Sequence, residues 1–232
     1  MDLCLLHLSR IFMPIQLILS DSITELDAVV FDCDGVLLET IPAKLQSYME
    51  WMPMEYESLR EAFRSHNLKS FGQSRSVQLR YFYEKLAKRS VSEDFLLHEV
   101  DRFSSICEPL CKLAPWADGS REFVEACKAM DAHTFVLSGT PQRELDAMLN
   151  QRNAKKLFDG IYGFPITKTG GLKNILKQGG YQKDRVLFIG DAEKDASAAM
   201  QVGVNFVYRP SEADRPVSIV QTETKNLMTL VA

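Results

Sequence analysis

Ala28-Val29-Val30-Phe31-Asp32-Cys33-Asp34-Gly35-Val36 is the stretch of sequence that decides the fold. Its first four residues form a short apolar run, β-branched and aromatic in character, which predicts a buried strand. Asp32 and Asp34 follow that strand, at the edge where open α/β sheets place their ligands. Two carboxylates this close repel each other, so we expect positive charge beside them. A divalent metal that prefers oxygen ligands, together with a phosphoryl group, would satisfy the site, whereas the alternative is an ordinary acidic turn.

The composition is that of an ordinary globular protein. The chain has 232 residues, 46% hydrophobic and 25% charged, so one core with an inserted module fits its length. A net charge of -4 gives no reason to expect nucleic acid or an acidic membrane surface as a partner. No apolar stretch reaches the ~18 residues that a bilayer span requires.

Residues 1–19 are predicted to be an N-terminal extension of unknown role. Their apolar stretches are interrupted by His7, Arg10 and Pro14, and no Ala-x-Ala-like cleavage site follows. A secretory signal, translation beginning at Met13, and an extension packed on the core or a partner subunit all remain open.

The five cysteines indicate a reducing compartment, because an odd count argues against a disulfide framework. We therefore expect a cytoplasmic protein. Cys107 and Cys111 have the spacing of a metal pair on one helix face, but no histidine or further cysteine completes such a site. Core packing is the favoured interpretation for this pair.

Two regions differ in periodicity. Apolar residues recur at helical spacing from Ile41 to about Leu113, with Thr40 or Glu39 near the first helix N-terminus and Pro42 in its first turn. Strands and helices then alternate, which predicts an α/β fold with a doubly wound parallel sheet. Strands are predicted at Thr134–Leu137, Gly160–Gly163, Val186–Ile189 and Asn205–Tyr208, with another near Val217–Val220. Helices are predicted at Gly119–Met130, Pro141–Arg152, Gly171–Gln178 and Lys194–Val202, with a turn near Leu227. The expected domains are a core of residues 20–41 and 114–232 and a helical insertion of residues 42–113.

Three later strands also end in polar residues. Ser138 and the Gly139 amide follow one strand and suit a phosphate, although a helix cap is the alternative. Lys168 follows the next predicted strand, and its ammonium could bridge phosphoryl and carboxylate oxygens. Lys173 is the alternative candidate for this role. Asp191 and Asp195 follow a third and could face one point, although acids are common at helix N-termini.

With these residues in place, the chain resembles the haloacid dehalogenase-like hydrolase superfamily. The resemblance rests on Asp32-x-Asp34-Gly35-Val36, then Ser138, Lys168 and Gly190-Asp191-x-x-x-Asp195. It covers Leu26 to about Tyr208 and implies a Rossmann-like core. The helical insertion resembles the cap of the phosphoglycolate phosphatase and β-phosphoglucomutase branch. Asp118, which precedes Gly119, stands where relatives often have proline.

The resemblance implies a Mg²⁺-dependent phosphatase that forms an aspartyl-phosphate. Asp32 would be the nucleophile and Asp34 the acid and base. Ser138, Gly139 and Lys168 would bind the phosphoryl oxygens. The metal ligands would be the carboxylates of Asp32 and Asp191 and the backbone carbonyl of Asp34, with Asp195 bound to the metal directly or through a water molecule.

Substrate selection is assigned to the cap, where basic residues outnumber acidic ones by six between Arg60 and Arg89. Arg75 is the predicted substrate contact there, with a solvated helix face as the alternative. The expected partner is a small phosphorylated metabolite such as a sugar phosphate, and neither nucleic acid nor membrane; the chain would be a monomer or homodimer. Two other functions stay open: a phosphomutase of the β-phosphoglucomutase kind and a catalytically silent binding module.

Overall fold

A parallel sheet lies at the centre of the described chain. The computed structural model describes residues 15–20, 22–217 and 222–231. Its strands are β1 (Ile15–Leu19), β2 (Ser22–Leu26), β3 (Ala28–Phe31), β4 (His133–Pro141), β5 (Gly160–Phe164), β6 (Val186–Gly190), β7 (Asn205–Tyr208) and β8 (Thr222–Glu223). The sheet order is β5-β4-β3-β6-β7-β8, and every neighbouring pair in it is parallel. The predicted doubly wound α/β fold is confirmed.

Strand β3 occupies the middle of this sheet. Val30 pairs with Phe135 of β4 on one side and Phe188 of β6 on the other, and all four β3 residues are fully buried. The sequence of a strand that is buried on both faces is a continuous run of apolar residues, whereas a half-buried strand alternates apolar and polar residues. Its position brings the residues that follow it close to the ends of β4 and β6.

Eight α-helices complete the described fold. They are α1 (Ile41–Trp51), α2 (Arg60–Lys69), α3 (Arg75–Tyr81), α4 (Glu93–Leu113), α5 (Ser120–Ala129), α6 (Gln142–Gln151), α7 (Lys168–Gly179) and α8 (Glu193–Val202). No described helix is both long and apolar enough to cross a membrane.

We refer to residues 41–113 as the helical module, because every regular element described there is helical. Its interior is aromatic: Trp51 packs edge-on against Phe82 with ring centroids 5.2 Å apart, and Phe63 lies 4.8 Å from Phe82. Cys107 and Cys111 are buried free thiols with Sγ atoms 3.5 Å apart.

Both connections between the helical module and the sheet run side by side. Leu38 and Trp116 form an antiparallel bridge, and the Ala117 N–H donates to the Leu37 carbonyl at 2.9 Å. Arg152 of the sheet domain donates to the carbonyls of Lys112 and Ala114. The module therefore joins the sheet through two adjacent connecting segments that are hydrogen-bonded to each other.

Helix α7 begins at Lys168, three residues before the predicted start at Gly171. The two glycines at 170 and 171 are poor helix formers, but the Thr167 side chain accepts the Gly170 N–H and caps the first turn. A Cβ on Gly171 would lie 2.3 Å from Leu137, so the close packing of α7 on β4 requires glycine there.

The strand β1 was not predicted. Residues 1–14 of the predicted extension lie outside the described residues, but Ile15–Leu19 pairs antiparallel with β2. Ile15, Leu17 and Leu19 face the core, while Gln16 and Ile18 are exposed. This alternation is the normal sign of a half-buried strand.

At the other end, residues 218–220 of the strand predicted near Val217–Val220 lie outside the described residues. A two-residue strand is present instead at Thr222–Glu223. The helical turn predicted near Leu227 is present as a 3-10 helix at Leu227–Leu230.

Leu17→Ala is expected to destabilise the protein by about 2–5 kcal/mol, because Leu17 is fully buried in the main core. Ile18→Ala, on the exposed face of the same strand, is the matched control and should change stability by less than about 0.5 kcal/mol. Chemical denaturation measures both. Equal, small effects would show that β1 does not belong to the core.

Candidate active site

The carboxyl edge of the sheet collects seven of the eight residues that the sequence singled out. Asp32 and Asp34 follow β3, Asp191 follows β6 and Asp195 lies in the first turn of α8. Ser138 and Gly139 lie in the last part of β4, and Lys168 is the first residue of α7. The four aspartates and Ser138 are each no more than 6% exposed. Neighbouring parallel strands ending at one edge produce this concentration of charge.

Lys168 neutralises part of that charge. Its ammonium lies 2.7 Å from both Asp32 Oδ1 and Asp195 Oδ1, and it donates to the Leu137 carbonyl at 2.8 Å. Burial disfavours the ammonium, but the two carboxylates more than offset this and raise the pKa of Lys168. The rival Lys173 is exposed further along α7.

Asp32, Asp191 and Asp195 form a carboxylate cluster whose oxygens lie within 4.8 Å of one another. Both Asp191 oxygens are buried, and neither accepts a hydrogen bond from the residues that the structure describes. Burial and the repulsion of Asp32 and Asp195 raise the pKa of Asp191 well above its usual value. Burial, opposed by Lys168, likewise raises the pKa of Asp32 to about 7. Unpartnered buried carboxylates are costly, so the cluster fits an oxygen-preferring divalent cation.

Gly35 allows this cluster to form. It has φ +74, and a Cβ added to it would lie 2.1 Å from Asp191 Oδ2. Any other residue would both strain the backbone and displace the Asp191 carboxylate.

Asp34 lies in a different environment from Asp32. Its Oδ1 accepts the Thr40 hydroxyl at 2.5 Å, and its Oδ2 accepts Thr140 at 2.8 Å and Ser138 at 3.3 Å. The ammonium of Lys44, from α1 of the helical module, lies 2.5 Å from Oδ2. Although burial acts in the opposite direction, Lys44 and the hydroxyl donors lower the pKa of Asp34 to about 2. In this arrangement Asp34 is a carboxylate, and a proton available for donation has to come from the Asp34–Lys44 pair as a unit.

Sequence reasoning missed Lys44 and Thr40 as partners of Asp34. Thr40 is the residue before α1, but its hydroxyl binds Asp34 instead of capping the helix. Lys44 lies one turn into α1, so its side chain points back toward the helix N-terminus and the end of β3. A lysine one turn after a helix start near two acidic residues is the only sequence signal for this contact.

Arg209, at the end of β7, was also missed. Its side chain is 1% exposed and donates to the Gly35 carbonyl at 2.5 Å and to Glu39 at 2.7 Å. These bonds hold the loop that carries Asp34 into the helical module. Nothing near Arg209 in the sequence distinguishes it from a surface arginine.

Arg75 lines a cavity between the helical module and the sheet but is engaged by protein groups. Its guanidinium makes a bidentate pair with Glu144 of α6, at 2.5 and 2.6 Å, and donates to Ser104 at 2.6 Å. The cavity also contacts Asp32, Asp34 and Lys44, and its free space of about 40 Å³ holds only a few water molecules. The pair therefore links the module to the sheet across this cavity.

Residues 29–208 match the family described as haloacid dehalogenase-like hydrolase, and the chain belongs to that family. Two curated relatives match most of the chain. One is a phosphoglycolate phosphatase from Synechococcus elongatus, with 24% sequence identity; the alignment covers 77% of this chain and 81% of that protein. The other is a phosphorylated carbohydrates phosphatase from Thermotoga maritima, with 23% sequence identity; the alignment covers 79% of this chain and 84% of that protein.

Solved structures share the fold. A mutant of CbbY from Rhodobacter sphaeroides, in complex with xylulose-(1,5)bisphosphate, has a TM-score of 0.71 at 13% identity, covering 87% of this chain and 95% of that one. A predicted phosphoglycolate phosphatase from Haemophilus somnus has a TM-score of 0.63 at 20% identity, covering 79% and 84%. These likenesses show that the sheet and the helices around it form the architecture of this family.

A divalent cation, tested with Mg²⁺, is expected to raise the melting temperature, because at this cluster it would reduce the repulsion among Asp32, Asp191 and Asp195. At about 100 times its dissociation constant, Mg²⁺ should add about 2.7 kcal/mol, or roughly 5–10 °C for a chain of this size. In Asp191→Asn most of this shift should disappear, whereas the exposed control Asp184→Asn should keep it. Thermal melts in Mg²⁺ and in EDTA measure the effect, and an equal shift in all three proteins would contradict the assignment.

Arg75→Met is expected to cost about 3–5 kcal/mol, because it leaves Glu144 buried without its partner. The double variant Arg75→Met/Glu144→Leu should regain most of that stability. Arg143→Met removes a largely exposed pair with Glu108 and should cost at most about 1 kcal/mol. Denaturation curves that show no recovery in the double variant would mean that the Arg75–Glu144 pair is not the source of the loss.

Proposed function

We propose that the protein is a Mg²⁺-dependent phosphatase that hydrolyses a small phosphate monoester through an aspartyl-phosphate. The observation that carries the proposal is the contrast between two buried aspartates two residues apart. Asp32 contacts Lys168 and the carboxylate cluster, whereas Asp34 contacts Lys44 and three hydroxyl groups. Two carboxylates with separate surroundings can serve as nucleophile and as acid and base.

Asp32 is the proposed nucleophile. The Cys33 N–H at 2.6 Å and Lys168 at 2.7 Å both hold its Oδ1, which leaves Oδ2 as the oxygen placed to attack phosphorus. The Ser138 hydroxyl, the Gly139 amide and Lys168 lie at the same edge of the sheet as Asp32 and would stabilise the equatorial phosphoryl oxygens.

Asp34 is the proposed acid and base. Asp34 lines the same cavity as Asp32, where the leaving oxygen would lie. The Asp34–Lys44 pair would protonate the leaving alcohol and would then accept a proton from the water that hydrolyses the aspartyl-phosphate.

The carboxylates of Asp32, Asp191 and Asp195 and the backbone carbonyl of Asp34 are the groups that would hold Mg²⁺. The unpartnered oxygens of Asp191 support this choice. When bound, Mg²⁺ would neutralise the repulsion between the carboxylate nucleophile and the anionic phosphoryl group.

The curated relatives support a small phosphorylated substrate, since one is named for phosphoglycolate and the other for phosphorylated carbohydrates. We therefore propose a small phosphorylated metabolite, such as a sugar phosphate, as the substrate. We further propose that residues 42–113 act as a cap that closes over the site, and that Arg75 contacts the substrate once its pair with Glu144 opens.

Free thiols at the four described cysteines favour a cytoplasmic location.

A phosphomutase of the β-phosphoglucomutase kind is the second candidate, because a putative β-phosphoglucomutase from Bacteroides vulgatus shares the fold with a TM-score of 0.63. The two candidates differ in product. A phosphatase releases inorganic phosphate, whereas a mutase returns an isomeric phosphate ester.

With Mg²⁺, the wild-type protein is expected to release inorganic phosphate from members of a panel of phosphorylated metabolites, with no isomer formed. Asp32→Asn should reduce turnover by at least about 10³-fold because it removes the nucleophile. Its far-ultraviolet circular dichroism should be that of the wild type. Phosphate release and chromatography of the esters measure the outcome; no release from any member would overturn the proposal, and retained activity in Asp32→Asn would overturn the nucleophile assignment.

A further inference from the structure

Lys44 is a cation that the helical module places inside the active-site edge of the sheet. It lies in the first turns of α1, yet its ammonium contacts Asp34 at 2.5 Å and donates to Thr140 at 2.9 Å. Its side chain is 15% exposed and lines the cavity that also contacts Asp32 and Asp34. The charge is therefore buried beside the reacting groups and still faces the space that a substrate would fill.

The donors of Lys44 are only partly used by protein groups. An ammonium has three N–H donors, and among the described residues Asp34 and Thr140 account for two of them. The third donor is available to a group in the cavity. Arg75, the other cation there, differs because its guanidinium is held by Glu144 and Ser104.

The leaving oxygen has to come close to Lys44. An acid that protonates it must lie within about 2.6–3.2 Å, so the leaving oxygen lies beside Asp34. Because Lys44 is 2.5 Å from Asp34 Oδ2, its ammonium is then no more than about 6 Å from the leaving oxygen, and a leaving oxygen on the side of Asp34 nearer Lys44 would come within hydrogen-bond distance of it. Negative charge develops on that oxygen as its bond to phosphorus breaks.

We propose that Lys44 is a catalytic residue of the helical module that stabilises negative charge on the leaving oxygen. In the first step an Asp32 oxygen bonds to phosphorus, the bond from phosphorus to the leaving oxygen breaks, and its electron pair stays on that oxygen. Lys44 donates a hydrogen bond to it, and the proton that completes the alcohol comes from the Asp34–Lys44 pair. In the second step the oxygen of a water molecule bonds to phosphorus, the bond from phosphorus to the Asp32 oxygen breaks, and its electron pair stays on Asp32 as a carboxylate. The proton that this water gives up returns to the Asp34–Lys44 pair. The inference rests on the proposed phosphatase function.

This role ties chemistry to closure of the helical module. The sheet supplies the nucleophile and the groups around the phosphoryl oxygens, but Lys44 arrives only when α1 lies against the end of β3. A substrate bound with the module open would lack this donor. Stabilisation of the leaving group would then be confined to the closed, water-poor state.

The test compares esters that differ in leaving group. Wild type, Lys44→Met and the exposed-lysine control Lys173→Met are assayed with p-nitrophenyl phosphate, whose leaving group is stable as an anion, and with a simple alkyl phosphate. Lys44→Met should lose about 100-fold or more in kcat on the alkyl phosphate and less than about 3-fold on p-nitrophenyl phosphate. Lys173→Met should match the wild type on both substrates.

Each other outcome overturns the inference in a specific way. Equal losses on both esters would show that Lys44 only supports the fold or the position of α1. Unchanged or increased activity on the alkyl phosphate would show that Lys44 is merely the ion partner of Asp34. If the wild type hydrolyses neither ester nor any member of the metabolite panel, the proposed phosphatase function is overturned, and the inference about Lys44 is overturned with it. If the wild type is active, the variant comparison tests the inference about Lys44 alone.

A double variant separates direct action from positioning of Asp34. In the background of Asp34→Asn, whose residual alkyl phosphatase rate is measured with concentrated enzyme, Lys44→Met should still cost at least about 10-fold. No further loss would mean that Lys44 acts only through Asp34 and would overturn the proposal.

Discussion

Repulsion among buried carboxylates is the constraint on which the arrangement of this edge depends. Asp32, Asp191 and Asp195 bring their oxygens within 4.8 Å of one another in a place that water scarcely reaches. Lys168 balances part of the charge by contacting Asp32 and Asp195, but burial and the repulsion of those two carboxylates still raise the pKa of Asp191 well above its usual value. A fold that keeps such a cluster sacrifices stability for a cation-binding site. The glycine at position 35, which leaves space for Asp191, belongs to the same arrangement.

Asp34 escapes that repulsion because a different part of the chain neutralises it. Lys44 comes from the helical module, Thr40 directly precedes it, and Thr140 and Ser138 come from the end of β4. The two aspartates of one short motif therefore differ in their cation: that of Asp32 is Lys168 of the sheet domain, whereas that of Asp34 is Lys44 of the module. Movement of the module would alter the surroundings of Asp34 and leave those of Asp32 largely in place.

Much of the fold could be predicted because its signals are local. The apolar runs of β3, β4, β5 and β6 are followed by polar residues, and the family resemblance assigns roles to Asp32, Ser138, Lys168 and Asp191, which lie at or after the ends of those runs. The start of α7 was placed too late because two glycines oppose a helix in a local view, whereas capping by Thr167 and packing against Leu137 override that preference. Strand β1 was missed because its alternation is short and lies within a longer apolar region.

The sequence by itself determined the doubly wound sheet and the set of residues that reach its carboxyl edge, because strand periodicity and chain order are properties of neighbouring residues. Only the tertiary structure decided the partners of those residues. Lys44 meets Asp34, Arg75 meets Glu144 and Arg209 meets Gly35 across separations that no local pattern encodes. A charged side chain on a helix surface looks the same in sequence whether it faces solvent or a buried carboxylate. The difference arises when packing removes water from one face and leaves each charge to be satisfied by whatever group the fold has placed opposite it.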